Sequence, residues 1–437
     1  MKVLKFGGTS VGSVENMRSV MEIITDGEQK IVVLSAMSGT TNSLVEISEL
    51  LYQKKQKEAE EAILKLEAKY EKVIDTLYVS ELSKQKGIKR VKESFDVLKG
   101  YLESDFDKVG ENTILAQGEM MSTGMFHYLL EENEYKTALI PALDFMKIDA
   151  DLQPDEDYIT EAIKPYLEES KDADYIITQG FICRNADNDV DNLQRGGSDY
   201  TATLIGANIG ASEIEIWTDI DGFHNNDPRF VENTSKIDQL SFAEAAELAY
   251  FGAKILHPST VLPCRKKNVP VRLKNTMNPS DCGTLIASTP MGKGIKAIAA
   301  KDNISAVKIR SGRMLLAYGF LRRVFEVFEN FRTPIDMITT SEVAVSLTID
   351  KTDYLDEILV DLESWGQVTV DSDQTIICIV GHDLIEEKGF EQKIFGALSN
   401  IPIRMISYGG SNHNISILIN RDDKKEALNA LSSTLFN

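Results

Sequence analysis

Four clusters in this 437-residue chain have residue types and spacings suited to a phosphorylated ligand. The first is Lys5-Phe6-Gly7-Gly8-Thr9-Ser10, directly after an apolar run. Paired glycines let the backbone approach phosphate oxygens, and the amides that follow can donate to them. A lysine just before them can reach the same pocket and neutralise charge developing on a transferring phosphoryl group. A tight strand-to-helix turn with a solvated lysine accounts for the same six residues equally well. The second cluster is Arg195-Gly196-Gly197-Ser198-Asp199, at the start of a helical pattern. Ser198 and Asp199 are common helix caps. Capping leaves the arginine and glycines unexplained, whereas a helix N-terminus beside an arginine makes a site for a carboxylate or phosphate. Asp199 is then suited to orienting Lys5 or the metal-bound phosphate.

The third cluster joins Thr218-Asp219-Ile220-Asp221-Gly222 to Asn226-Asp227-Pro228-Arg229. Asp-Gly and Asn-Asp-Pro are turn signals, and a plain loop explains them. Hydroxyl, carboxylate and arginine after an apolar strand also suit ribose and phosphate recognition. The fourth, Phe251-Gly252-Ala253-Lys254-Ile255-Leu256-His257-Pro258, offers another lysine beside a glycine, with His257 reading as structural. The chain has no GxxxxGK[ST] segment, no HRD and DFG set and no GxGxxG after the first apolar run. Those absences exclude a P-loop enzyme and a protein kinase and weaken a dinucleotide-dependent dehydrogenase. His and Cys spacing supports no dedicated metal site, so the expected metal is Mg²⁺ carried by nucleotide phosphates and water.

The elements that must position these residues alternate. Apolar runs at 3–6, 30–34, 137–140, 175–178 and 214–217 read as buried strands, and helical patterns at 14–24, 43–51, 120–130 and 200–207 lie between them. That alternation predicts an α/β domain with a parallel sheet and a ligand site beyond the strands' carboxyl ends. Residues 52–102, dense in Glu, Lys, Ala and Leu, read as a helical insertion covering this domain, with no chemistry of its own. Past about residue 290 a repeat appears. GFLRRVFEVFEN at 319–330 matches GFEQKIFGALSN at 389–400, and at the same 70-residue offset SEVAVSLTI pairs with SNHNISILI and AVKI with IICI. Each copy reads as a β–α–β–β unit, so two similar small α+β modules are expected. The expected domains are 1–290, 296–365 and 366–437, the last completed by a strand from about 296–305.

Composition bounds the rest. Hydrophobic residues are 43% and charged residues 26%, which is ordinary for a globular protein. With 47 Lys+Arg against 68 Asp+Glu the formal charge is −21, which argues against nucleic acid as a partner and requires local cations at any phosphate site. The four cysteines, Cys183, Cys264, Cys282 and Cys378, form no CxxC pair, which fits a reducing compartment. No apolar run reaches the ~18 residues of a membrane span, and the glycines at 7 and 8 interrupt any signal-peptide core. A cytoplasmic protein with no membrane partner is expected.

Taken together, KFGGTSVG, LSAMSGTTN, QGE, RGGSD, TDIDG with NDPR, and FGAKILHP resemble the aspartate kinases of the amino acid kinase family, in the family's order over residues 5–258. The duplicated modules are similar to paired ACT domains. The resemblance implies the amino acid kinase fold, a three-layer α/β domain, followed by two ACT-type regulatory domains. It implies transfer of the ATP γ-phosphate to the β-carboxylate of L-aspartate, the entry step to lysine, threonine and methionine synthesis. Under it, Lys5 and Asp199 are catalytic; Thr41, Glu119, Arg195 and Ser198 hold aspartate; Lys5, Gly7, Gly8, Thr9, Thr218, Asp219, His224, Arg229 and Lys254 meet ATP. Relatives usually carry Tyr where His224 stands, which leaves the base contact less defined. In the first module Met314, Gly319, Phe320, Leu321, Asp336, Thr340, Ser341 and Glu342 match the effector pocket of lysine-inhibited members, which implies feedback inhibition by L-lysine. A homodimer or dimer of dimers through the ACT-like modules is implied as well. Ending just after the second module, the chain is expected to be monofunctional, without a fused homoserine dehydrogenase. Two alternatives remain open at this stage: another amino acid kinase, or a non-catalytic amino-acid sensor.

Overall fold

The computed structural model describes residues 1–193, 196–252, 256–289, 292–312, 318–386 and 388–436. Arg195, Lys254 and Met314 lie outside them. Two compact units result, Met1–Gly222 with Leu256–Ser288, and Phe223–Ile255 with Thr289–Asn437.

The first unit is built on a parallel sheet. Strands Thr137–Ile140, Tyr175–Gln179, Lys30–Leu34, Lys2–Phe6, Ile214–Thr218 and Val271–Asn275 lie side by side in that order, with Thr284–Ala287 antiparallel beyond them. Lys30–Leu34 and Tyr175–Gln179 are buried along their whole length, which is why they read as unbroken apolar runs. Phe6 stacks on Trp217 across the ladder, ring centroids 5.6 Å apart.

The helix Val14–Ile24 has the bounds its pattern gives, whereas Thr40–Tyr52, Lys108–Glu132 and Gly197–Ile209 are longer than theirs. Lys108–Glu132 starts twelve residues before the periodic stretch at 120–130. Asp107 caps it by accepting from the Gly110 amide at 2.8 Å. This helix buries Asn112, Gln117 and Glu119 along with its apolar residues. A helix covered on nearly all sides shows no amphipathic stripe, so periodicity underestimates it. Gln56–Leu77 is the opposite case, burying Ala59, Ile63, Leu66, Tyr70, Ile74 and Leu77 along one face. It runs into Glu81–Gly100, capped by Ser80, so the segment read as helical holds two helices.

In the second unit the two repeats share one antiparallel sheet. Strands Ile338–Thr340, Ala344–Ile349, Gly294–Arg310, Gln367–His382, Asn414–Asn420 and Met405–Tyr408 follow in that order. Gly294–Arg310 serves both copies, its first half pairing with Ile376–His382 and its second with Ala344–Ile349 and with residues 367–371. The repeat is also visible in the backbone. Gly319 (φ +83°) and Gly389 (φ +81°) precede Phe320–Asn330 and Phe390–Ala397 in the left-handed conformation that glycine adopts without strain. Each copy has its own apolar core, around Val324 and Leu347 in one and Ile394 and Ile417 in the other. Among the described residues no helix is long and apolar enough to cross a membrane.

Candidate active site

Parallel register brings the strand ends together. Phe6 pairs with Leu34 and Trp217, and Leu34 pairs with Gln179, so the chain leaves these strands at one edge of the sheet. A cavity of about 460 Å³ opens there, lined among others by Thr9, Ser35, Gly39, Thr41, Glu119 and Ser198. That volume suits a small polar ligand.

Lys5 and Asp199 meet beside it. Lys5 Nζ lies 2.7 Å from Asp199 Oδ1, with only 11% and 16% of the two side chains exposed. Oδ1 is buried and makes no hydrogen bond of good geometry, so the pair is a charge contact with an acceptor still to be satisfied. A Cβ on Gly7 would sit 3.3 Å from Nζ, and one on Gly8 would sit 3.0 Å from the Ala36 carbonyl oxygen. Both glycines therefore keep space for the ammonium and for the loop at 35–39. The capping reading of Ser198 and Asp199 is corrected here. Helix Gly197–Ile209 begins from Gly196 at φ +70° with no side-chain cap, which frees Ser198 to accept from Ser35 Oγ at 2.8 Å and Asp199 to face Lys5.

Glu119 approaches from the long helix. A Cβ on Gly118 would come within 2.8 Å of Ala36 Cβ, so the glycine lets that helix close on the 35–39 loop. Glu119 is 4% exposed and accepts a hydrogen bond from the Ala36 amide at 3.1 Å. Burial pushes its carboxyl up to about 8, against the opposing pull of the Ala36 amide and of the Lys5 charge. The cavity thus has in its lining a carboxyl that a ligand cation would ionise, with the Lys5 ammonium nearby. The insertion contributes too: buried Thr40 Oγ1 and Tyr70 Oη are 2.9 Å apart, and Lys69 Nζ donates to the Ser38 carbonyl at 2.9 Å. A segment read only as a cover therefore props the start of the helix Thr40–Tyr52, which carries Thr41.

The remaining expected residues are spread over both units. In the first, Thr218 closes its strand beside the Lys2–Phe6 strand, and its hydroxyl donates to Asp219 Oδ1 at 3.1 Å. In the second, His224 Nδ1 lies 2.9 Å from Thr234 Oγ1, and Arg229 forks Asp227 at 2.7–3.2 Å. Of the expected effector residues, Phe320 packs into its module's core, Leu321, Thr340, Ser341 and Glu342 are exposed, and Asp336 is held by Lys301.

The family model described as "Amino acid kinase family" matches residues 1–275, and one for the ACT domain matches 377–435. Lysine-sensitive aspartokinase 3 of Escherichia coli is 33% identical over 99% of both chains. Chloroplastic aspartokinase 3 of Arabidopsis thaliana is 34% identical over 99% of this chain and 81% of its own. The chain belongs to the aspartokinases. Among solved structures, E. coli aspartokinase III with aspartate and ADP matches at a TM-score of 0.85 and 32% identity, each chain covered in full, and the same protein with lysine and aspartate at 0.82. The fold is thus an amino acid kinase domain with ACT regulatory structure, and the activity that of an ATP-dependent kinase.

Several residues of this aspartokinase cavity escape a reading of residue types. Ser35, Ala36 and Ser38 line it through their place in the loop, Asn42 from the first turn of the helix Thr40–Tyr52, and Phe181 through an unusual backbone. Phe181 has φ +70°, held by its amide donating to Thr201 Oγ1 at 3.0 Å and its carbonyl accepting from the Leu193 amide at 2.7 Å. Gly180 beside it leaves room for Ser198, since a Cβ there would fall 2.5 Å from Ser198 Cβ and Oγ. Gly180→Ala should push Ser198 off Ser35 and lower kcat/KM for the amino-acid substrate by roughly tenfold to a hundredfold. Steady-state kinetics with the amino acid varied checks this; an unchanged KM and kcat would show that Ser198 is not part of the site.

Proposed function

We propose that the chain transfers the γ-phosphoryl group of ATP to the β-carboxylate of L-aspartate, giving 4-phospho-L-aspartate and ADP. The supporting observation is that buried Glu119 and Ser198 line one cavity while the Lys5–Asp199 pair stands beside it, Asp199 following Ser198 in the chain. A zwitterionic dicarboxylate needs an anion for its ammonium and cations for its carboxylates. Glu119 supplies the first, and Arg195 is assigned the second, with Thr41 and Ser198 completing the aspartate subsite. Gly7, Gly8 and Thr9 take the ATP phosphates; Thr218, Asp219, His224, Arg229 and Lys254 are assigned to the rest of the nucleotide. The β-carboxylate is already ionised near pH 7, so no general base is required. Its oxygen forms the new bond to Pγ as the bond from Pγ to the bridging oxygen of ADP breaks. Lys5, oriented by Asp199, stabilises the charge on the transferring group.

The divalent cation is assigned as Mg²⁺ carried by the ATP phosphates, since among the described residues no group of three His, Cys, Asp or Glu side chains is placed to hold a metal ion. L-lysine is assigned as feedback inhibitor through Asp336 and Glu342, on the strength of the likeness to a relative named lysine-sensitive. The first step of lysine, threonine and methionine synthesis, a catalytic domain over 1–290, ACT-like domains over 296–365 and 366–437, and a homodimer or dimer of dimers complete the reading. Incubation with ATP, Mg²⁺ and L-aspartate, trapping the acyl phosphate with hydroxylamine, should give aspartyl hydroxamate at a rate that L-lysine suppresses. No hydroxamate from a cooperatively melting protein would overturn the substrate assignment; hydroxamate formation indifferent to lysine would overturn the effector.

A further inference from the structure

Asp336, assigned above to the effector, already has an internal cation. Lys301 Nζ stands 2.7 Å from Asp336 Oδ1 and 2.9 Å from Asp350 Oδ2, and 4.5 Å from the centre of the Tyr250 ring. Tyr250 Oη donates to the same Asp336 Oδ1 at 2.7 Å. The Asp336 side chain is fully buried, and its second oxygen, Oδ2, has no hydrogen-bond partner. A buried carboxylate oxygen left unsatisfied is costly unless something fills it. One oxygen of Asp336 is thus committed within the chain and the other, buried, has no donor.

Lys301 sits where Gly294–Arg310 passes from one repeat to the other: its pairing with Ile376 is followed by a register shift before Ile304 meets Gln374. Tyr250 ends the helix Phe242–Tyr250, and two residues on, Gly252 (φ +131°) lies so close to the Ala300 carbonyl that a Cβ would fall 2.2 Å from its oxygen. The second repeat grips the same helix: Ser411 Oγ donates to Glu247 Oε1 at 3.0 Å, and Asn414 Nδ2 donates to Glu247 Oε2. Ser411 is the residue 70 positions after Ser341, so the duplicated turn at 411 bears on the helix that Asp336 bears on.

We propose that Lys301 is a built-in competitor for the effector's ammonium at Asp336, setting the lysine concentration at which the pocket fills, and that Tyr250 passes the change at Asp336 to the helix Phe242–Tyr250. This rests on the reading of Asp336 as an effector residue. A second ammonium on Oδ2 has Lys301 within a few ångströms, and like charges at that distance repel appreciably even when partly screened. Neutralising Lys301 leaves Asp336 and Asp350 without their counter-ion, so the arriving ammonium becomes that counter-ion.

The test is calorimetric titration of L-lysine into the full chain alongside inhibition of each variant's own lysine-free rate. Lys301→Met and Lys301→Gln are expected to bind lysine about tenfold more tightly than wild type, and Lys301→Arg, which keeps the charge, close to wild type. Tyr250→Phe should bind lysine with nearly unchanged Kd yet lose at least half of the maximal inhibition. Unchanged or weaker binding by both neutral variants overturns the competitor role. Loss of cooperative melting in both overturns it equally, since Lys301 is then a structural counter-ion. Full inhibition of Tyr250→Phe overturns the relay. Wild type that binds no lysine would remove the effector reading itself, an outcome distinct from all of these.

Discussion

Lys5→Met is expected to lose turnover by a factor of about 10³ or more while the protein still melts cooperatively. The ammonium is held by the Asp199 carboxylate at 2.7 Å, with little of either side chain exposed. A charge preorganised in so dry a place acts on the transferring phosphoryl group without reorganisation cost at the moment of transfer. Removing it also strands Asp199, whose Oδ1 has no hydrogen bond to fall back on, and an uncompensated buried carboxylate costs roughly 3 kcal/mol. A structural and a catalytic role therefore make different predictions for the double variant Lys5→Met/Asp199→Asn. Thermal stability should return toward wild type because no unpaired charge remains, whereas turnover should stay lost. Hydroxamate formation at saturating substrates and a melting curve on the same samples decide it. Turnover within tenfold of wild type in Lys5→Met would remove Lys5 from the chemistry.

That Lys5 and Asp199 belong together is legible in residue types: each lies beside paired glycines at a strand or helix end, and parallel sheets gather such ends on one edge. The repeat is legible for a similar reason, since Gly319 and Gly389 occupy the same backbone conformation at the same step of the same unit. What depends on tertiary packing is not. Phe181 enters the cavity through a positive φ that no residue type announces, and Gly196 starts a helix whose polar first turn reads as a cap. The length of Lys108–Glu132 is hidden because a helix buried all round has no stripe. Lys301 follows Ala300 at the end of an apolar run and looks like a solvent-facing strand residue, yet two carboxylates distant in sequence close on it. Tyr70 looks like one more apolar position on an amphipathic helix, and only the fold puts its hydroxyl on Thr40.

Glu119 carries the second large expected effect, and it appears as a pH dependence. Burial raises its carboxyl to about 8, so below that pH the free protein holds a proton there. An ammonium bound against it favours the carboxylate, and binding must then release the proton. The sign follows from linkage: lowering the pH favours the protonated free form, so KM for aspartate should rise by about tenfold per unit from pH 8 down to pH 6 and level off above about 9. Glu119→Gln removes both the charge and the proton. Its KM should be nearly flat with pH, about a hundredfold above wild type at pH 9 and close to it at pH 6. Stability carries the same group with a consistent sign. Glu119 binds its proton up to about 8 in the folded chain but only to the ordinary carboxyl range when unfolded, so its contribution is full at low pH and falls as pH rises through 8. Glu119→Gln should therefore flatten the loss of stability between about pH 4.5 and 8 while impairing aspartate binding most where wild type binds best. A wild-type KM independent of pH over that range, in buffers of equal ionic strength, would show that the substrate's ammonium does not meet Glu119.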